Sequence, residues 1–228
     1  FGVAAGNTLS RLLRVHNRTT WGFDSFVGLP PEEHGEPILH DWRPGGKRAN
    51  GQNSAGLVHR KITEFVYKHG AKLKPNQLRL LSGLFNKTLK PGLARAAGMR
   101  PAVYVDIDAD LYISSWQALD WLFGEGLLVP GSVVGYDDWW TLPCAANSTN
   151  VEAFGEAKAH LQATRKYKAV FRCICGPCED RPPAYGGRTY FVLEALGVKA
   201  EAVKARVGVR VRLGSGLRLG LLPLSPFD

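Results

Sequence analysis

No apolar run in this chain approaches the ~20 residues that a bilayer-spanning helix needs, so no membrane span is expected among its 228 residues. Methionine is nearly missing: Met99 stands alone, and the chain opens at Phe1. It is therefore read as an excised or processed piece, and the lack of a signal peptide says nothing about a precursor. Cysteine is scarce, with Cys144, Cys173, Cys175 and Cys178. The cluster "CICGPC" could place thiolates on zinc with Cys144 as a fourth ligand. The spacing is not that of a zinc ribbon, because C-x-C lies on one strand face, and a disulfide or ordinary thiols stay open. There is no internal repeat, no RNP-type or zinc-finger pattern and no N-P-P-Y-type motif. Nucleic acid is disfavoured as a partner on that count.

Acidic residues are outnumbered, 20 Asp+Glu against 29 Lys+Arg, for a net charge of +9. About half of that excess lies in residues 199–228, rich in Gly, Val, Leu and Arg and without clear periodicity. They read as a basic, poorly ordered tail behind a domain spanning 1–198. A basic surface attracts nucleic acid, anionic lipid or anionic small molecules, and in most proteins is simply solvated. With 45% apolar and 21% charged residues, the composition is that of a soluble globular chain. Three N-x-T sequons, at Asn17, Asn86 and Asn147, are consistent with secretion but arise easily by chance. The compartment stays open, with the cytoplasm favoured, and so does self-association.

What is present is an alternation of strands and helices. "FGVAAGNTLSRLLRVH" reads as a strand end, a small-residue turn and a helix capped by Asn7 or Thr8. "TTWGFDSFVGLP" holds a short strand ending at Asp24 and Ser25. Residues 30–53 are polar and Gly/Pro-rich, long enough for a mobile loop or lid. Leu57, Val58, Ile62, Phe65 and Val66 are spaced for a helix stopped by Gly70. "QLRLLSGLF", "AVYVDID" and "GSVVGYDDWW" are strands. "SSWQALDWLF" is a helix capped by Ser114 or Ser115, and Val151, Phe154, Ala157 and Leu161 mark another. "AVFRCI" and "TYFVLEAL" are final strands joined by a loop, hence antiparallel. The pattern predicts an α/β fold, a Rossmann-like doubly wound sheet, mainly parallel with an antiparallel last strand and a truncated first one.

In such a sheet, ligands bind outside the carboxyl ends of the strands, where the unusual residues cluster. Gly2, Ala4, Ala5 and Gly6 let a ligand approach the backbone ahead of a helix N-terminus. Asp24, at the next strand end, is placed to accept hydrogen bonds from ribose hydroxyls, or to cap its own turn. The turn is not G-x-G-x-x-G, so an adenosine-containing ligand is favoured over a dinucleotide. Asp110, Asp137 and Asp138 follow two further strands. Carboxylates converging on one rim repel unless a cation sits among them, and hard oxygens suit Mg²⁺ or Ca²⁺. Solvated rim aspartates are the alternative.

"WGFDSFVGLPPE", "LLSGLFNKTL", "VDIDADLYISSWQAL" and "PGSVVGYDDW" stand in the order and spacing typical of the TylF/macrocin O-methyltransferase-like family, which the chain resembles over about residues 1–195. That family belongs to the class I S-adenosylmethionine-dependent methyltransferases. The resemblance implies that Gly2, Val3, Ala4, Gly6, Asn7 and Thr8 hold the amino-acid part of S-adenosylmethionine. It implies Asp24 on the ribose, Ser25 and Phe26 beside the adenosine, Gly83 and Phe85 at the adenine, and Asp108 near the methionine end. Asp110, Asp137 and Asp138 match positions that bind a divalent metal, Mg²⁺ or another, with Asp110 also a candidate catalytic base. The implied partner is a small-molecule acceptor with a hydroxyl, such as a sugar. Many relatives carry histidine at Asp106. Glu156 and His160 are outside candidates.

Two rival readings remain at this level. Asp108-Ala109-Asp110 after an apolar strand also fits the D-x-D motif of metal-dependent glycosyltransferases, which hold a nucleotide-sugar diphosphate through Mn²⁺. A non-catalytic relative could keep the fold as a binding module, though an idle site has no reason to hold repelling charges together.

Overall fold

The computed structural model describes residues 1–47, 54–179 and 187–197. The expected tail, 199–228, and part of the expected lid, 48–53, lie outside the described residues. The fold is the expected α/β one. β1 (Thr20–Asp24) pairs parallel with β2 (Leu78–Ser82), while β3 (Tyr104–Ile107) pairs parallel with β4 (Val133–Tyr136). β6 (Thr189–Ala195) runs antiparallel between β4 and β5 (Val170–Cys175), giving the order β3-β4-β6-β5. Residues 1 and 2 bridge the two sheets. The Phe1 nitrogen donates to the Asp106 carbonyl at 2.7 Å, Asp108 N–H donates to the Phe1 carbonyl at 3.0 Å, and Gly2 N–H donates to the Phe23 carbonyl at 2.9 Å. The two bonds to β3 follow a parallel-strand pattern, and one more ties the same segment to β1.

Helices cover the sheets through the residues their periodicity exposes to burial. α1 (Asn7–Val15) and α2 (Ala55–Lys68) pack Leu13, Val58, Ile62 and Val66 against Leu78. α5 (Tyr112–Gly124) and α7 (Gly155–Tyr167) enclose Val105, Ile107, Val134, Tyr136 and Leu193 in the larger core. Among the described residues there are also the short helices α3 (Phe85–Thr88), α4 (Leu93–Ala97) and α6 (Thr141–Ala145). Among the described residues, no helix is long and apolar enough to cross a membrane.

Two helix starts differ from expectation. Gly6 in the left-handed conformation, not Asn7 or Thr8, caps α1, and no side chain satisfies that cap. Ser114 and Ser115 lie inside α5, buried, and its first turn is capped from 80 residues away. The Glu32 carboxylate accepts the N–H groups of Tyr112 at 2.7 Å and Ile113 at 3.0 Å. Local pattern cannot reveal a cap borrowed from a distant loop. It also changes the character of the expected lid. Glu36 accepts from Gly155 N–H at 3.0 Å and from Lys158, and Trp42 is buried with Leu111 and Leu142. Residues 30–47 are thus a strap docked on two helix N-termini. Glu32→Ala is expected to remove both hydrogen bonds and the charge–dipole attraction, costing about 1–2 kcal/mol. Thermal unfolding should show the melting temperature fall by roughly 3–6 °C; no change would exclude this capping role.

Candidate functional site

The parallel register brings the strand ends to one edge. Ile107 stands opposite Tyr136, so the residues that follow, Asp108 and Asp137, leave the sheet side by side. Carboxylate oxygens of Asp108, Asp137 and Asp138 come within 4.8 Å of one another. Asp110 sits just beyond, in a left-handed conformation with φ 60° that turns the chain into α5. The sequence reading had Asp110 with Asp137 and Asp138, and Asp108 toward the methionine end. In the structure Asp108 joins the pair and Asp110 flanks them.

Crowding carboxylates in a half-buried place disfavours their charged forms. Burial, then Asp137, Asp106 and Asp138, push Asp108 up to about 7. Burial, then Asp138, push Asp110 up to about 7, against the pull of Lys47. Burial also raises Asp138. Glu156 is fully buried: its Oε2 accepts Asp138 N–H at 2.9 Å, its Oε1 has no partner, and burial, then Asp138, lift its pKa far above the usual range. It holds the backbone of the aspartate turn. His160 is walled in by Tyr136, Trp139, Phe171 and Phe191, with a 2.9 Å contact from Nδ1 to the Tyr136 hydroxyl, and burial pushes it down to about 3. That is a neutral core histidine.

Two hollows meet at the cluster. A cleft of about 1080 Å³ is lined by Gly2, Val3, Ala4, Asn7, Thr8, Asp106, Asp108 and Asp137, and continues down between β1 and β3 past Trp21, Phe23, Tyr104 and Val105. A smaller one, about 370 Å³, is lined by Leu39, His40, Asp41, Trp42, Lys47, Asp138 and Thr141. Gly6, Asp24, Ser25, Phe26, Gly83, Phe85 and Asp110 do not line either. Phe26 and Phe85 are core residues, so only their backbones can border a ligand. The Ser25 hydroxyl donates to the Gly28 carbonyl at 2.6 Å. Asp24 accepts three backbone N–H groups, from Val3 at 2.7 Å, Ala4 at 2.8 Å and Phe26 at 2.6 Å. Its carboxylate shapes the small-residue turn. Gly2 is required for a different reason than ligand approach: with φ +77°, a Cβ there would sit 1.6 Å from the Asp108 carbonyl oxygen.

Arg188 was missed. It precedes β6, where Thr189 stands opposite Tyr136, and so lies beside Asp137. It pairs with Asp106 at 2.6 Å, Asp137 at 2.8 Å and Asp108 at 3.6 Å. An antiparallel strand begins at the rim where parallel strands end, so an arginine opening "TYFVLEAL" could have been placed there from topology. "CICGPC" proves to hold a Cys173–Cys178 disulfide, with Cys144 buried and Cys175 exposed as free thiols. The loop it closes accepts the indole N–H groups of Trp139, at Cys178 O, and of Trp140, at Pro177 O.

Comparison with known proteins agrees with this architecture. The chain is similar in structure to CalS11, a calicheamicin methyltransferase, with 19% sequence identity and a TM-score of 0.57, over 84% of this chain and 70% of that one. A looser match, 14% identical with a TM-score of 0.41, is an O-methyltransferase from Bacillus cereus solved with SAH, over 82% of this chain and 79% of that one. A search of the curated proteins finds none that matches. The description of the macrocin-O-methyltransferase family, TylF, matches residues 7–171. On that match, covering well over half its length, the chain belongs to the TylF macrocin-O-methyltransferase family and is a methyltransferase enzyme.

Proposed function

We propose that this protein transfers the methyl group of S-adenosylmethionine to a hydroxyl of a sugar or other small molecule, assisted by a divalent cation, Mg²⁺ in the first instance. Residues 1–198 form the catalytic unit in this reading. The observation that carries it is convergence: the small-residue turn Gly2–Ala4, Thr8, Asp108 and Asp137 line one cleft, and Asp138 opens onto a second. A donor and an acceptor thereby meet at the aspartates.

The residues fit both absent groups. Three hard oxygens within 4.8 Å of one another, two of them on carboxylates, Asp108 and Asp138, whose pKa values burial raises, are a donor set for Mg²⁺, which binds carboxylates and keeps water or substrate oxygens. A cation held by Asp108, Asp137 and Asp138 would lower the pKa of an acceptor hydroxyl. The turn of the large cleft, pinned by Asp24, offers small side chains and backbone to the methionine end, and the bound donor would supply an electrophilic methyl.

This chain's own side chains do the rest. Trp42 and Lys47 form a wall of the smaller hollow and orient what enters it. Asp110, which flanks the aspartate group, is the carboxylate assigned to take the hydroxyl proton as the oxygen–carbon bond forms and the methyl group's bond to the donor breaks. Glu156 keeps Asp138 aimed. Alignment of nucleophile and methyl group by such a frame is the main source of rate in a direct transfer. Calorimetry with S-adenosylhomocysteine and with UDP, each with and without Mg²⁺, tests the reading. Micromolar S-adenosylhomocysteine binding and none for UDP are expected; the reverse would hand the site to nucleotide-sugar chemistry.

A further inference from the structure

The guanidinium of Arg188 stands where the cluster most needs positive charge. Its Nη1 donates to Asp106 Oδ1 at 2.6 Å and its Nη2 to the Thr8 hydroxyl at 3.4 Å, while its Nε lies 2.8 Å from Asp137 Oδ1 and its Nη2 3.6 Å from Asp108 Oδ2. Asp108 and Asp137 are two of the three carboxylates that converge, whereas Asp106 is not in that group and is held separately by the Tyr104 hydroxyl at 2.7 Å. One arginine therefore straddles the cation-binding group and an anchor outside it.

We propose that Arg188 is the resident counter-ion of the aspartate cluster and a competitor of the divalent cation, swinging off Asp137 and Asp108 about its Asp106 contact when the cation is held. The inference rests on the cation reading above. A guanidinium N–H and a small dication both need the in-plane lone pairs of the same carboxylate oxygens, and the two positive charges repel across a half-buried site where screening is weak. Mg²⁺ demands short, near-octahedral oxygen contacts, which a guanidinium already 2.8 Å from the Asp137 carboxylate obstructs.

The backbone is not free to carry the change. Gly176 packs so closely on it that a Cβ there would lie 2.3 Å from the Arg188 carbonyl oxygen, and Thr189 is registered on Tyr136. The side chain is the part that can carry it. It is 27% exposed, with a flexible stem and a second carboxylate, Asp106, on which to pivot. By linkage, whatever the guanidinium contributes to the cation-free cluster is subtracted from cation affinity, and the cation in turn loosens the guanidinium.

Two measurements on the full chain test this. Free Mn²⁺, followed by electron paramagnetic resonance, titrates wild type and Arg188→Gln. The variant is expected to bind roughly tenfold tighter, within the ordinary range of coupling between sites, and Arg188→Lys, which keeps charge but not the fork, to fall between. In the wild type, where folding of a variant is not at issue, Mg²⁺ should speed phenylglyoxal modification of Arg188, read by mass spectrometry. Weaker or unchanged Mn²⁺ binding by Arg188→Gln, or Arg188 protected by Mg²⁺, would overturn the competition. Equal, tight binding by both proteins would sink it alone, while no dication binding by either would remove the cation reading with it.

Discussion

Asp138→Asn and Asp110→Asn are both expected to lose about 10³-fold in turnover, but only the first should lose divalent-cation affinity. The difference follows from position. Asp138 belongs to the group whose oxygens lie within 4.8 Å of one another, and Asp110 does not. An amide oxygen is a far poorer partner for Mg²⁺ than a carboxylate, so Asp138→Asn should weaken Mn²⁺ binding by about 10–100-fold. Asp110→Asn keeps the donor set and removes a proton acceptor, a loss typical of a deleted general base. Neither change touches the small-residue turn, so S-adenosylhomocysteine affinity should stay within about threefold of wild type. Stability supplies an independent sign. Asp138 is raised by burial and by Asp137, so it costs the cation-free fold energy when ionised. Its Oδ1 accepts the Thr141 hydroxyl at 2.8 Å, and an asparagine oxygen can do the same. Asp138→Asn should therefore melt about 2–4 °C higher than wild type without cation, a gain of about 1 kcal/mol. A variant both inactive and less stable would point to a structural aspartate instead. Full turnover by Asp110→Asn would dismiss the base.

The same sequence showed the strand ends clearly and the side-chain roles only in part. Alternation of apolar strands with helical periodicity fixed where the chain leaves the sheet, because burial of a strand on both faces is hard to disguise. "YVDIDAD" and "GYDDW" could be laid on one rim from that alone. What could not be read is which carboxylates turn toward each other. A strand alternates faces, so Asp106, Asp108 and Asp110 start on the same side, but the left-handed turn at Asp110 breaks the alternation just where it matters. Asp24 was legible as a special acid at a strand end. Its three backbone hydrogen bonds were not, since they depend on the turn folding back over it. Glu32 and Glu36, in a stretch with the composition of a loose loop, became helix caps through contacts spanning 80 and 119 residues. Arg188 follows the same logic: charge partners are set by topology, which a single sequence presents only after the strands have been ordered.

Mg²⁺ is expected to raise the melting temperature by about 5–10 °C at pH 8 and by little at pH 6. Asp108 and Asp110 have folded pKa values of about 7 against roughly 3.9 in an unfolded chain. Between those values the folded protein carries more protons than the unfolded one, so each rise in pH weakens the cation-free fold. The contribution is fully present below about pH 4 and is lost as the pH climbs through 7. Asp138 and Glu156, also raised by burial, bend the absolute curve the same way. Burial lowers His160 instead, so acid acts against the fold through it. His160 is shifted by burial alone and titrates alike with and without Mg²⁺, so the difference between the two melting curves reads the carboxylates of the cluster, Glu156 together with the aspartates. At pH 6 the cation must displace protons before it can be held; at pH 8 the carboxylates are ionised, mutually repelling, and gain a partner. An effect of roughly 2–3 kcal/mol is reasonable for two coupled, half-buried carboxylates after allowing for solvent screening, and it corresponds to the stated rise in a chain of this size. A Mg²⁺ effect that is flat from pH 6 to 8, or larger in acid, would mean that the ion binds somewhere other than among Asp108, Asp137 and Asp138.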